Sequence, residues 1–325
     1  MSTLDDYPRV QTAFDGVTDF CYRYPTIILA AVLLISPFTF IGFTTMDIMT
    51  WLLPVIGLNV LVGFTGYLSF GQALYFGLGA YITALTAAGW NFTFIPAVLS
   101  GIIAGTAAAL IVGLLSLRRR GIYFALLTLA FAQLGWISTN LLEPITGGTT
   151  GLGFDVPPAG LGFVSIPIES FTIKFAIIFV VVVAMFRMSL KIVRSPFGQI
   201  MKAVRENEER VAFLGYRTFY VKVLAFTIAG FYAAVGGAMF AIFTEFVFLD
   251  LFFWEISGDF LMITLIGGIG TMTGPLVGTY IFIVLRDFLS LFIDRWLLIL
   301  GMIFVVIVLL APEGIIGTIN ERIRK

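Results

Sequence analysis

The feature that most constrains this chain is an uninterrupted stretch from Ile48 to Leu117 in which no residue is charged. A membrane-spanning helix needs about 20 apolar residues, so the stretch is long enough for three crossings joined by short turns. Residues that favour turns divide it at Gly63–Gly71 and at Gly89–Asn91. The sequence therefore predicts a bundle of membrane helices.

The composition supports the same conclusion for the whole chain. Hydrophobic residues make up 59% of the 325 residues and charged residues 12%, whereas a soluble domain carries about 25% charged residues. The chain has no histidine, which excludes histidine-ligated metals and histidine acid–base chemistry. It also lacks the Gly-x-x-x-x-Gly-Lys-Ser/Thr phosphate loop of ATPases. We expect an all-α polytopic membrane protein with no catalytic residues, no cofactor and no metal.

Breakers and charges divide the chain into segments that predict about ten transmembrane helices. The eighth segment is the least regular, because its 13 residues fit a re-entrant half-helix as well as a full crossing. In chain order, the predicted helices cover 26–45, three segments within 48–117, 121–142, 171–190, 223–244, 258–270, 276–293 and 296–311.

The distribution of lysine and arginine predicts the orientation, since positive residues accumulate in cytoplasmic loops. With a cytoplasmic N-terminus, 16 of the 19 basic residues fall on cytoplasmic segments. The opposite side receives an acidic strip that runs from Glu245 to Asp259. We therefore expect both termini in the cytoplasm. The predicted divisions are a cytoplasmic segment 1–25, a single transmembrane domain 26–312 with an external loop 143–170 and a cytoplasmic loop 194–218, and a cytoplasmic tail 313–325.

Two predicted helices carry a small residue at every fourth position. Such stripes let helix backbones approach closely in lipid, where no hydrophobic effect drives association. The pattern favours tight helix packing over a role in solute binding. The residues are Gly101, Gly105, Ala109 and Gly113 in one helix, and Ala225, Ala229, Ala233, Gly237 and Ala241 in the other.

Residues 195–216 form a charged segment between hydrophobic ones, which is too polar to cross the membrane. Ser195-Pro196 is typical of a helix start, and Gly215 of a helix end. Apolar positions recur intermittently, with charges of both signs between them. From this pattern alone, a solvated loop and a helix that docks another protein are equally good interpretations.

Several motifs, in the same order along the chain, resemble the branched-chain amino acid permease family of ABC transporters (LivM-type). Residues 195–215 resemble that family's coupling loop, with the pattern "SPFGR…A.RE.E..A..LG". The resemblance extends over nearly the whole chain, and one departure is Gln72, where we expect histidine in many members. The other matching motifs lie at Gly57–Gly63, Leu68–Gly71, Gly79–Tyr81, Arg120–Ala125, Thr128–Phe131, Thr146–Leu152 and Gly267–Pro275.

The resemblance implies an ABC importer permease of the many-helix type in a bacterial or archaeal cytoplasmic (inner) membrane, moving branched-chain or other neutral amino acids. Its expected partners are two cytoplasmic ATPase subunits, a second homologous permease in a heterodimer, a periplasmic or lipid-anchored solute-binding protein and membrane lipid. The net charge of zero gives no indication of nucleic acid. The residues expected to couple to the ATPase are Pro196, Gly198, Ala203, Arg205, Glu206, Glu208, Leu214 and Gly215.

Uncharged polar residues and glycines in the predicted helices are candidates for the solute pathway or for hinges. Broken backbone inside a bilayer is tolerated only where it is buried or faces a cavity. Helix–helix hydrogen bonding and tight packing are the alternative roles for these residues. The candidates are Asn59, Gly63, Gly66, Ser69, Gln72, Thr128, Gly267 and Gly270.

Other functions remain open at this stage. A urea or short-chain amide importer of the same family has similar sequence features. A stand-alone secondary transporter requires intramembrane carboxylates for its coupling ion. Asp287, beside Arg286, is the only carboxylate well inside a predicted helix, and the two charges can also neutralise each other. An intramembrane enzyme is disfavoured, because histidine and buried acid pairs are missing.

Overall fold

The computed structural model of the chain describes residues 25–39, 42–89, 92–160, 165–166, 168, 170–292, 294–311 and 313–318. These residues are mostly helical, and the strands among them are only two residues long. The predicted all-α class is confirmed. Residues 1–24 of the predicted N-terminal segment and 319–325 of the predicted tail lie outside the described residues.

Each of the ten predicted segments corresponds to a helix in the described part of the chain, and a further helix lies at the charged segment 195–216. Their bounds are α1 Pro25–Thr39, α2 Gly42–Thr65, α3 Gln72–Gly89, α4 Phe94–Ser116, α5 Ile122–Leu141, α6 Phe171–Arg194, α7 Pro196–Phe213, α8 Thr218–Thr244, α9 Trp254–Gly267, α10 Gly274–Phe292 and α11 Trp296–Leu310. Short helical turns lie at Glu143–Thr146, Gly148–Thr150 and Leu249–Phe252.

Seven helices of the described chain are long and apolar enough to cross a membrane. They are α2, α4, α5, α6, α8, α10 and α11, the last taken together with the turn that follows it to Thr318. The predicted multi-pass membrane protein is therefore supported. Helices α1, α3 and α9 have only 15, 18 and 14 residues, so the figure of ten full crossings stays a prediction.

Helix α2 begins at Gly42, six residues before the start at Ile48 that the sequence pattern predicted. The predicted helices covered 26–45 and the uncharged stretch that begins at Ile48, so residues 46 and 47 lay between them. In the structure Asp47 lies inside α2, 6% exposed, and Arg286 of α10 donates a hydrogen bond to its carboxylate. An opposite charge compensates the acid, so the helix continues through it.

Arg286 contacts two further side chains beside this ion pair. Its guanidinium lies 5.1 Å from the centre of the Trp51 ring and 3.1 Å from the Asp287 carboxylate. Asp287 in turn accepts a hydrogen bond of 2.9 Å from Thr44 of α2. The pair Arg286–Asp287 therefore belongs to a network that joins α10 to the first turns of α2.

Helices α2 and α8 form the centre of the bundle and run antiparallel. Gly57 of α2 packs against the backbone of Ala229, and Gly236 of α8 packs against the Thr50 carbonyl. Small residues let α3 and α4 approach α8 as closely: Gly105 and Ala109 of α4 contact Ala234 and Gly230. The predicted role of the small-residue stripes in packing is confirmed.

Two short strand pairs lie at the end of the bundle opposite α7. Strand β1 (Leu152–Gly153) pairs antiparallel with β4 (Phe246–Val247), and β2 (Ala159–Gly160) pairs with β3 (Ser165–Ile166). Lys174 of α6 forms a 2.7 Å ion pair with Glu245, the residue that follows α8. These contacts fasten the predicted external loop to the end of α8.

Close packing of α8 predicts that Gly237→Ala destabilises the protein. A Cβ at this position would lie 1.9 Å from the Phe76 carbonyl oxygen, so the backbone has to shift, at a cost of about 1–3 kcal/mol. We expect a lower melting temperature in detergent. Gly301→Ala in α11 is the matched control, since a Cβ there meets no atom within 4 Å. Equal melting temperatures for the two variants would contradict the packing.

Candidate functional site

Helix α7 leaves α6 through a tight turn that local sequence specifies. The hydroxyl of Ser195 accepts a hydrogen bond of 3.3 Å from the Gly198 N–H and so caps the helix, and Pro196 occupies its first position. A Cβ on Gly198 would lie 2.2 Å from the Val193 carbonyl oxygen. Pro196 and Gly198 therefore set the direction in which α7 departs.

A kink at Asn207 divides α7 into two short helices. Asn207 has φ −159° and ψ 97°, which is extended backbone, and its Oδ1 accepts a hydrogen bond of 2.8 Å from the Arg210 N–H. Asn207 thus caps the second half. The sequence carried a signal for this feature, an asparagine followed by two glutamates, which is typical of a helix start.

Glu208, the first residue after the kink, joins α7 to three other parts of the bundle. Its carboxylate lies 2.6 Å from Lys222 of α8 and 3.4 Å from Arg120, which precedes α5. It also accepts hydrogen bonds of 3.1 Å from the Tyr67 hydroxyl and 3.2 Å from Thr218. Burial raises the pKa of Glu208, but hydrogen bonds and charges, those of Lys222 foremost, outweigh it, and the net pKa is lowered.

Arg205 connects the first half of α7 to the end of α2. Its guanidinium donates a hydrogen bond to the Gly63 carbonyl oxygen, and a Cβ on Gly66, whose φ is +75°, would touch its side chain at 3.3 Å. Gly63 in turn lies against the backbone of Gly270. Four residues predicted separately as coupling or hinge residues therefore meet at one point.

The chain between α9 and α10, residues 268–273, is a break in the helical structure that one side chain holds in place. The Asn59 amide donates a hydrogen bond of 2.8 Å to the Thr271 carbonyl and accepts one of 2.8 Å from the Gly270 N–H. Gly268 and Gly270 adopt φ values of +113° and +78°, which favour glycine. Gly267, also predicted as a hinge, packs directly against Gly274.

The second break, the loop 66–71 between α2 and α3, is bonded in the same manner. Thr128 of α5 accepts a hydrogen bond of 3.0 Å from the Phe70 N–H, and Ser69 accepts one of 3.2 Å from the Gly71 N–H. Ser257 of α9 accepts one of 2.8 Å from the Ala73 N–H, in the first turn of α3. Sequence reasoning found Ser69 and Thr128 but missed Ser257, because nothing in its local pattern indicates this contact.

Gln72, the first residue of α3, differs from these bonded neighbours. Its side chain is fully buried, and neither its nitrogen nor its oxygen has a hydrogen-bond partner among the described residues. A buried polar group without a partner costs about 1–3 kcal/mol. Gln72 is therefore the predicted pathway residue that the described chain leaves unsatisfied.

The predicted coupling residues fall into two groups, those whose side chains contact the bundle and those whose side chains are exposed. Arg205 and Glu208 bond to the bundle, and Gly198 is packed against α6. Glu206 is exposed, Leu214 is 72% exposed and its neighbour Phe213 is 90% exposed. Ala203 is half-buried, and Gly215, with φ +90°, ends the helix. One face of α7 thus bonds to the end of α2 and to the loop 66–71, and the other presents charged and apolar side chains.

A bundle of membrane helices with two breaks held by side chains is typical of membrane transport proteins. The family described as the permease component of the branched-chain amino acid transport system matches residues 40–310, and the chain belongs to this family. The resemblance found in the sequence motifs is confirmed.

Individual relatives agree with this assignment. The chain is 29% identical over 297 residues to the high-affinity branched-chain amino acid transport system permease protein LivM of Salmonella typhimurium, covering 85% of this chain and 70% of the relative. The Escherichia coli protein of the same name is 29% identical over 305 residues, with coverage of 86% and 72%. The probable branched-chain amino acid transport permease protein LivM of Methanocaldococcus jannaschii is 22% identical over 312 residues, with coverage of 80% and 88%. No solved structure matches the chain.

The contacts of Glu208 predict a loss of stability in Glu208→Gln. The substitution leaves Lys222, whose side chain is 5% exposed, without its anion, and a hydrogen bond to a charged group contributes about 1.5–3 kcal/mol. We expect a lower melting temperature at pH 7 than for the wild type. The exposed neighbour Glu209 supplies the control, Glu209→Gln, which we expect to melt like the wild type.

The difference in melting temperature between the wild type and Glu208→Gln should depend on pH with a defined sign. Because the pKa of Glu208 is lowered in the folded protein, its contribution is present at neutral pH and is lost as pH falls through the lowered pKa. Melting curves of the wild type and Glu208→Gln should therefore converge only below about pH 4.5, the ordinary value. Convergence near pH 7 would contradict the ion pair.

Proposed function

We propose that this chain is the membrane-spanning subunit of an ATP-driven importer for branched-chain or other neutral amino acids, and that it is not itself an enzyme. The observation that carries the proposal is the two-faced arrangement of α7. Its inner face is bonded to the end of α2 and to the loop 66–71, whereas its outer face leaves Phe213 and Leu214 mostly exposed.

Two ATPase subunits on the cytoplasmic side would supply the energy, one of them gripping the outer face of α7. Closure of the ATPase pair would move α7 as a rigid body. Arg205 and Glu208 then carry this movement to the end of α2 and to Tyr67 in the loop before α3. The same movement reaches residues 268–273, because Gly63 lies against Gly270.

The outer face of α7 suits a protein partner better than water. Phe213 and Leu214 are adjacent, large and mostly exposed, at the end of a helix that otherwise carries charge. Large exposed apolar side chains rimmed by polar residues mark protein-interaction sites. Glu206, in the first half of α7, adds a charge to the same exposed side.

The family supports a proposal for the remaining partners and for the location. We propose a second, homologous permease in a heterodimer and a periplasmic or lipid-anchored binding protein that delivers the solute. The location would be the cytoplasmic (inner) membrane, with both termini in the cytoplasm. Basic residues support this orientation, because Arg118, Arg119 and Arg120 precede α5 at the end of the bundle where Arg120 approaches α7.

An amino acid as solute is supported by the relatives, whose names specify branched-chain amino acids. A urea or amide importer has no separate observation in its favour. A stand-alone secondary transporter is disfavoured further by Arg286, which pairs with both Asp47 and Asp287 and so compensates these two carboxylates.

The proposal predicts that the chain co-purifies with the ATPase encoded beside it and that Glu206→Arg releases that ATPase, since the reversed charge lies on the outer face of α7. Vesicles that contain the wild-type assembly and its binding protein should take up labelled leucine only with ATP. Glu255→Arg, an exposed acid at the start of α9, is the control for charge reversal and should retain the ATPase. Wild-type uptake without ATP would refute the proposal.

A further inference from the structure

Helix α3 begins in the middle of the bundle rather than at its surface. Its first turn packs beside the midpoints of two full-length helices. The carbonyl of Tyr75 approaches Gly105, the central residue of α4, and the Tyr75 ring contacts Gly230, near the centre of α8. The N-terminal end of α3, which is the positive end of its dipole, therefore lies at membrane depth.

Two polar side chains in this first turn are buried and unpaired. Neither polar atom of Gln72 has a hydrogen-bond partner among the described residues, and the same holds for the Tyr75 hydroxyl. Both residues are fully buried. Positions three apart lie on one face of a helix, and the hydroxyl of Tyr75 lies 3.3 Å from where a Cβ on Gly71 would sit. It is thus directed at the start of the helix.

Packing alone does not account for the choice of glutamine here. The Asn59 amide, which is buried in the same bundle, is bonded through both its nitrogen and its oxygen. Buried polar groups in proteins are almost always paired, and each exception needs an explanation. In a bilayer the requirement is stricter, because water is scarce.

We propose that Gln72, the Tyr75 hydroxyl and the N-terminal end of α3 bind the charged head group of a zwitterionic solute in the middle of the membrane. The Gln72 Nε2 and the Tyr75 hydroxyl donate hydrogen bonds to the carboxylate, which the helix dipole also favours. The Gln72 Oε1 accepts a hydrogen bond from the ammonium group. This inference rests on the proposed function and names the residues that recognise its solute.

The loop 66–71 controls access to this site. A cavity of about 320 Å³ lies between this loop and the first turn of α5. The loop continues along the chain into Gln72, whose side chain is buried and closed to solvent in this conformation. Tyr67 of the loop bonds to Glu208 of α7. A displacement of α7 therefore reaches the solute site through one hydrogen bond and a short stretch of chain.

The test compares Gln72→Met with the wild type in the complete transporter, reconstituted in vesicles with its ATPase and binding protein. Methionine has a similar volume and removes the unpaired amide. We expect the maximal rate of ATP-driven leucine uptake to fall about tenfold or more. The apparent KM, which the binding protein sets, should not change. The melting temperature should stay equal or rise, since no bonded group within the chain is lost.

Tyr75→Phe, which removes a single oxygen atom, should show the same pattern if the methionine variant fails to assemble. Asn59→Leu is the contrasting variant, since it removes a buried amide that is bonded. Its melting temperature should fall because two hydrogen bonds to the break 268–273 are lost. Unchanged uptake in both Gln72→Met and Tyr75→Phe, or a rate that falls only together with the melting temperature, would overturn the site. A wild type without ATP-driven uptake would overturn the proposed function and this inference together. If the wild type does transport leucine, the function stands and the two variants test the solute site alone.

Discussion

The interior of a bilayer offers no water to an unbonded backbone group, and the structure of this chain depends on that constraint. Continuous helices meet it by their own hydrogen bonds, but the segments 66–71 and 268–273 cannot. Side chains from other helices bond them instead: Thr128 from α5 and Asn59 from α2. The breaks are therefore stable only inside the assembled bundle.

One of these breaks, the loop 66–71, is also bonded to α7. Around the central pair α2 and α8, small residues bring backbones into direct contact, and close packing of this kind resists gradual deformation. Helix α7 bonds to the Gly63 carbonyl at the end of α2 and to Tyr67 in the loop that follows. A force applied to the outer face of α7 therefore reaches the loop 66–71, which has no regular helical hydrogen bonds.

Local patterns in the sequence were sufficient for much of this architecture. Hydrophobic segments predicted the positions of the membrane helices, and the four-residue stripes in α4 and α8 predicted their packing. The charged segment 195–216 left a helix and a solvated loop equally open, and the structure shows the helix α7. Each of these signals is carried by residues close together in the chain, so each can be interpreted without knowing the partner. The start of α2 was not predicted correctly, because Asp47 lies inside this helix and its compensating charge, Arg286, is far away in the sequence.

By itself, then, the sequence determined the class of protein, the order of its helices, its family and the set of polar residues from which a site can be built. Only the tertiary structure decided what each of those residues does. Glu206 and Glu208 are alike in sequence, but the kink at Asn207 lies between them. The Glu208 carboxylate pairs with Lys222, whereas Glu206 is exposed. Asn59 and Gln72 are both buried amides, but only Asn59 meets a broken backbone segment that bonds both its ends. The reason is physical: hydrogen bonds and ion pairs depend on distances between residues that are remote in the chain, and folding alone sets those distances.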